Sequence, residues 1–219
     1  MTLIIKGATW ELAGTDDLSP SAGSETQGGM EYLALPAPTS GAFEASTPLG
    51  PVQPGRAYCL TVPVSPELSG AHAVLYLAWR DGAGKELARV EGPAAFLQHA
   101  LAEERTWGIA PEGAASAAIV VRLVSVRTSF HGANGKALIG APRLEPSVSL
   151  SARPGADAAL FAADQAVRFT VGLAGAPAEL ADAAVSYQVT DYDGKVVAAG
   201  TLAVPLAAGA ASAILELPA

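Results

Sequence analysis

Cysteine is nearly absent: Cys59 is the single one in 219 residues. That excludes an internal disulfide framework and any cysteine-rich zinc site. Basic residues are also few. There are 13 Lys and Arg against 21 Asp and Glu, a net charge of −8, and residues 1–147 and 148–219 each carry four more acidic than basic side chains. Without a basic stripe, neither nucleic acid nor an anionic membrane surface is an expected partner. No apolar run approaches the roughly 18–20 residues of a membrane-spanning helix. Near the start, Leu3-Ile4-Ile5 is too short an apolar core for a signal peptide. The expectation is a chain that stays inside the cell, or a mature or excised piece of an exported one. Aromatic residues, at 6%, are scarce enough that each position matters.

What is present points to β structure. Hydrophobic residues make up 50% of the chain and charged ones 16%, a globular balance. Forty-seven alanines supply much of that hydrophobic share, so scattered Val, Leu, Ile and aromatic side chains must build the core. Tyr58, Leu60, Val62 and Val64 fall on one strand face. From Val74 to Arg80 the residues Leu75, Leu77 and Trp79 alternate with Val74, Tyr76 and Ala78. Asp81-Gly82 follows as a turn pair that favours positive φ, with Lys85 to Val90 as the return strand. Ala117 to Val126 is a long β-branched run interrupted on one face by Arg122, and Asn134-Gly135 and Pro142 bracket a strand near Lys136–Ile139. Met30 to Leu35 and Ala42 to Ser46 read as strands, and Gly14 to Gly29 as an exposed loop. Pro93 to Glu104 is the one stretch with helical spacing, through Phe96, Leu97, Ala100 and Leu101. It competes with a strand through Leu101, Glu103, Arg105, Trp107 and Ile109, so a short helix or loop entering a strand is expected. A boundary falls near Pro142–Ser147. Beyond it the pattern restarts in five segments: Val148–Ala152, Ala166–Leu173, Ala183–Thr190, Lys195–Val204 and Ala211–Leu217. The fold class expected is all-β, with an antiparallel β-sandwich over 1–147 and further antiparallel β structure over 148–219.

Little in the chain promises catalysis. His72, His99 and His131 lack metal-ligand spacing, and neither a metal nor a cofactor is expected. Asp191-Tyr192-Asp193-Gly194 lacks the later ligands of a calcium loop and reads better as a hairpin turn. No Gly-x-Ser-x-Gly elbow occurs. Gly28-Gly29 is far weaker than a phosphate loop. Glu103-Glu104, adjacent on a strand, would face opposite sides and are not expected to form a catalytic carboxylate pair. Sugar binding is the chemistry the aromatics allow. The C–H face of a pyranose stacks on a flat ring while its hydroxyls seek polar side chains. Tyr76, Trp79, Trp107 and Arg122 are the candidate ligand-binding residues, with Tyr76 and Arg122 mid-strand and able to project from a concave sheet. Tyr76 and Trp79 occupy opposite strand faces, so only one of them can be in the core. Core packing is the competing reading for Trp79 and Trp107, and a solvated or salt-bridged role for Arg122.

Three segments resemble a known family. Pro54-Gly55-Arg56-Ala57-Tyr58-Cys59-Leu60, Leu75 to Gly84, and Ala110-Pro111-Glu112-Gly113-Ala114 are similar in order and spacing to the jelly-roll, carbohydrate-binding-module-like domains attached to bacterial glycoside hydrolases. The resemblance covers roughly 1–147 and implies the fold more strongly than a ligand. Such modules often hold a structural calcium through an Asp on their last strand. The corresponding Ala137-Leu138-Ile139-Gly140-Ala141 has no carboxylate, so the resemblance does not extend to that site. Val167-Arg168-Phe169-Thr170-Val171 and Tyr187 to Gly194 resemble the immunoglobulin-like sandwich often placed before a hydrolase barrel. A full sandwich of that kind has about seven strands, so the expectation is either a fragment of a longer protein or a minimal sandwich with exposed edges. The resemblance implies a non-catalytic accessory region that binds an oligo- or polysaccharide outside the cell for a catalytic domain beyond Ala219. The rival reading is a structural spacer or adhesion and assembly module with no sugar ligand.

Overall fold

The computed structural model describes residues 2–5, 8–14, 22–38, 40–95, 102–126, 134–155, 166–176, 182–191, 193–206 and 210–217. The chain is all-β, and seventeen strands occur among the described residues: β1 (Thr2–Ile5), β2 (Ala8–Gly14), β3 (Gly23–Gln27), β4 (Met30–Pro36), β5 (Ala42–Pro51), β6 (Ala57–Ser69), β7 (Ala71–Arg80), β8 (Glu86–Ala95), β9 (Ala102–Ile109), β10 (Ser116–Ser125), β11 (Asn134–Ile139), β12 (Arg143–Ser147), β13 (Ser149–Pro154), β14 (Val167–Ala174), β15 (Asp182–Thr190), β16 (Val196–Pro205) and β17 (Ala211–Leu217). The chain divides into two compact units, Met1–Pro54 with Tyr58–Glu145, and Gly55–Ala57 with Pro146–Ala219.

The larger unit is a sandwich of two sheets. One has the order β1-β2-β5-β10-β7-β8, the other β12-β6-β11-β4-β3 with β9 also paired to β6. Strands β4, β5, β6 and β7 alternate between the sheets, and β10 and β11 insert between them in the same way, which is the crossover pattern of a jelly roll. The inward face follows from period-2 alternation. Phe43, Leu75, Leu77, Trp79, Ile119 and Leu123 from the six-stranded sheet meet Leu33, Leu35, Tyr58, Leu60, Val62 and Ile139 from the other. Tyr58 and Trp79 pack across this core, ring centroids 5.9 Å apart and planes tilted by 57°. The Tyr58 hydroxyl accepts the Gln53 N–H at 2.9 Å, which satisfies its polar end.

Three readings of the sequence are corrected. Residues 14–29 are not simply a loop, because Gly23–Gln27 forms β3 and pairs with β4. The turn between them is Gly28-Gly29, with φ of 59° and 78°. A two-residue turn with both central φ values positive matches the twist of the flanking strands. Pro93 to Glu104 is not a helix where it is described: Glu86–Ala95 and Ala102–Ile109 are strands, while Phe96, Leu97, Ala100 and Leu101 lie outside the described residues, as do His99 and His131. Strand β9 wins because Thr106 is buried and Gly108 faces the core, where a Cβ would come within 3.0 Å of Trp79 Cζ2. Finally, the positive φ of the β7–β8 hairpin belongs to Gly84, not Gly82. Asp81 Oδ1 accepts the N–H groups of Ala83 and Lys85 and so closes the turn.

The smaller unit holds a three-stranded sheet, β13-β14-β17, and a two-stranded one, β15-β16. Its buried apolar residues include Val171, Leu173, Val204 and Leu217. The β15–β16 turn repeats the chemistry of the β7–β8 turn. Asp191 Oδ1 accepts from the N–H groups of Asp193 and Lys195, and Gly194 has φ of 80°. Asp191 is therefore occupied by the backbone as a turn closer. Tyr192 lies outside the described residues.

Candidate functional site

The outward face of the six-stranded sheet carries a group of aromatic and charged side chains. Leu75, Leu77 and Trp79 point into the core, so Val74, Tyr76 and Ala78 point out. On β10, opposite them in register, Arg122 pairs with Val74, Val120 with Tyr76 and Ala118 with Ala78. Tyr76 and Arg122 are thus diagonal neighbours on one face, a relation that leaves long side chains within reach of each other.

Tyr76 is not bare. The Arg89 guanidinium lies over its ring, 5.2 Å from the centroid. Arg89 is held by a two-point contact to Glu86, Nε to Oε1 at 2.7 Å and Nη2 to Oε2 at 2.9 Å. It also donates from Nη1 to Glu44 Oε1 at 3.0 Å. The hydrogen bond to Glu86 above all pushes the Arg89 pKa up; partial burial opposes it, and the contact with Glu44 adds to the rise. Glu44 is on β5 and Arg89 on β8, with β10 and β7 between them. Three interstrand spacings amount to about 14 Å, so both side chains must lie across the sheet. The flat floor that this requires is present, since Ala78 and Ala118 carry no bulk on this face and are themselves fully buried.

Beside this bridge lies a depression of about 240 Å³ lined by Ala13, Gly14, Ala42, Phe43, Glu44 and Arg122. It exists because β2 and the start of β5 present small residues there. Arg122 is exposed and makes no hydrogen bond or ion pair with any described residue.

The other two candidate residues lie elsewhere. Trp79 is 1% exposed and packed into the core, so its ring cannot stack on a ligand. The expectation that it binds sugar is corrected by its position on the inward face of β7. Trp107 is 52% exposed, on β9, a strand hydrogen-bonded to β6 in the opposite sheet. Its alternation with Thr106 and Gly108 turns it outward beside Arg105 and Ile109. Glu103, on the same outward side of β9, is committed to Arg143 at 2.8 Å and lies 3.7 Å from Arg105. The structure therefore brings together Tyr76 and Arg122 and separates both from Trp79 and Trp107. Sequence reasoning missed Arg89, Glu44 and Glu86. The only sequence signal was the opposite charge at 86 and 89 on a return strand, and nothing local linked either residue to position 44. Among the described residues, no three His, Cys, Asp or Glu side chains gather as a metal-ligand group.

No protein-family model matches the sequence, and no curated protein matches it. Among solved structures, the enzymatically active domain of tailspike protein 4 from bacteriophage CBA120 is similar over 65% of this chain and 20% of its own, at 18% identity and a TM-score of 0.49. The CBM22-1–GH10 modules of xylanase 10B from Clostridium thermocellum, complexed with xylohexaose, match over 62% of this chain and 26% of theirs, at 14% identity and a TM-score of 0.43. A CBM4 structure matches over 64% of this chain and 87% of its own, at 9% identity and a TM-score of 0.41. The chain spans a fifth of the tailspike domain and about a quarter of the xylanase modules. At these identities and scores, none of the three transfers a function to this chain.

Proposed function

We propose that residues 1–147 bind carbohydrate without catalysis, through the outward face of the six-stranded sheet. The observation that carries this reading is the depression between Glu44 and Arg122, with Tyr76 on the same face. A ring and an unengaged guanidinium beside a shallow hollow suit one or two sugar units, held by stacking and hydroxyl contacts. Trp107, exposed on β9, offers a second stacking surface. The resemblance of the segments around Tyr58, Trp79 and Pro111 to carbohydrate-binding-module-like domains supports the same reading. In it, residues 148–219 form an immunoglobulin-like spacer, and the chain serves a catalytic domain of a polysaccharide-processing protein outside the cell.

A glycan array with the full chain, followed by calorimetry on each hit, tests the proposal. Y76A, R122A and W107A should identify the face used, one of them removing affinity while the melting temperature holds. A blank array from folded protein would overturn the binding reading. A spacer or assembly role without a sugar ligand is the second reading. It is favoured by one observation: Arg89 already covers the Tyr76 ring.

A further inference from the structure

Register sets Glu44 and Arg122 directly opposite each other on β5 and β10. Opposite charges in that relation stabilise a sheet by pairing across it. These two do not pair. Glu44 is drawn instead to Arg89, which reaches it from two strands further away and is anchored at its other side by Glu86. Arg122 is left with all five N–H donors and no partner among the described residues, at the edge of the depression. The lining has one carboxylate, Glu44, and its Oε1 is engaged by Arg89. The unengaged donors at the edge of the hollow are those of Arg122, a group with no acceptor of its own. A neutral sugar hydroxyl both donates and accepts, whereas a carboxylate only accepts and matches the planar guanidinium fork at two points.

We infer that the depression beside Arg122 receives the carboxylate of an acidic, uronate-type saccharide, and that Arg89 keeps Arg122 available by holding Glu44 away. The inference rests on the carbohydrate-binding reading and names its ligand class. The size agrees, since about 240 Å³ is below a drug-sized pocket and suits a single sugar residue. Glu44 and Glu86 are balanced by Arg89 and Arg122, and the other carboxylates on this face, Glu11 and Glu91, are not among the lining residues. The chain's net charge of −8 acts at longer range and is screened beyond about 10 Å at 0.1 M salt.

The test is calorimetry at 0.15 M salt with oligomers of galacturonate, glucuronate and mannuronate, each against its methyl ester. Esterification keeps the ring, removes the charge and adds one methyl group. At least one acid should bind about tenfold more tightly than its ester, the value of a charge-assisted contact on an accessible site. R122Q should abolish that preference. R89M should abolish it too, because the released Glu44 falls back on its register partner, and E44Q/R89M should restore it. Thermal melts of each variant check that the fold is retained. If esters bind as tightly as acids, or R122Q keeps the preference, the inference is overturned while carbohydrate binding stands. If R89M keeps the preference, or E44Q/R89M fails to restore it, the role given to Arg89 is overturned. If no acid, ester or neutral oligosaccharide binds, the carbohydrate reading fails with it.

Discussion

Replacing Trp79 by alanine separates the core from the ligand face more sharply than any other single change. The side chain is 1% exposed. An indole of this kind buries about 200 Å², which at about 25 cal/mol per Å² is worth about 5 kcal/mol as an upper bound. Measured large-to-small changes at buried Trp and Phe run to about 3–5 kcal/mol. The upper part of that range is expected here, because the cavity cannot easily close. Tyr58, the ring packed on Trp79, is pinned through its hydroxyl to Gln53 N–H, and Gly108 has no side chain to fill the space. In a domain of this size about 4 kcal/mol corresponds to a fall in melting temperature of about 8–16 °C. The assay is far-UV circular dichroism on heating, with urea unfolding as a second measure, for W79A and for W107A. The exposed Trp107 should cost less than about 1 kcal/mol. A loss below about 1 kcal/mol for W79A, or a larger loss for W107A than for W79A, would refute the assignment of inward and outward faces.

Other expectations follow from local geometry. At Gly29, φ is 78° and a side chain would meet no residue beyond its chain neighbours within 4 Å of its Cβ, so G29V should cost about 1–2 kcal/mol through backbone strain alone, whereas G28N should be nearly neutral in the same melts. D81A and D191A each remove an acceptor of two backbone N–H groups and should cost about 1–2 kcal/mol, read as a lower urea midpoint with an unchanged slope. Raising the pH should not weaken the Arg89 bridge. A folded-state pKa raised by Glu86 and Glu44 means stability fully present below the ordinary arginine value and lost only above the raised one. The wild-type and R89M melting temperatures should therefore differ by a constant amount up to about pH 10, and a gap that closes there would contradict the bridge.

How much of this was legible beforehand depended on the range of each interaction. Alternation along Leu75, Leu77 and Trp79 against Val74, Tyr76 and Ala78 is a property of consecutive residues. The pleat turns it directly into two faces, so the sequence alone determined an all-β chain, the shared face of Tyr58, Leu60, Val62 and Val64, and the placement of Tyr76 opposite Trp79, while the tertiary structure decided which of those two rings is in the core. Strand β3 escaped because Gly-Ser-Glu-Thr-Gln has no apolar alternation. Its order comes from pairing with β4 across Gly28-Gly29, itself a readable hairpin signal. The shared Asp-x-x-Gly-Lys turns at 81–85 and 191–195 were also readable, and the geometry makes both an Asp-closed hairpin. Tyr76 and Arg122 were legible as mid-strand candidates, but the pairing of charges around them was not. Glu44 and Arg89 are 45 residues apart, and Arg122 faces Glu44 only because β5 and β10 are neighbours in a particular register. Which charges pair, which ring is covered and which guanidinium is left over are set by strand order and register. Those are decided by how two whole sheets close on a common core, and no local pattern encodes them.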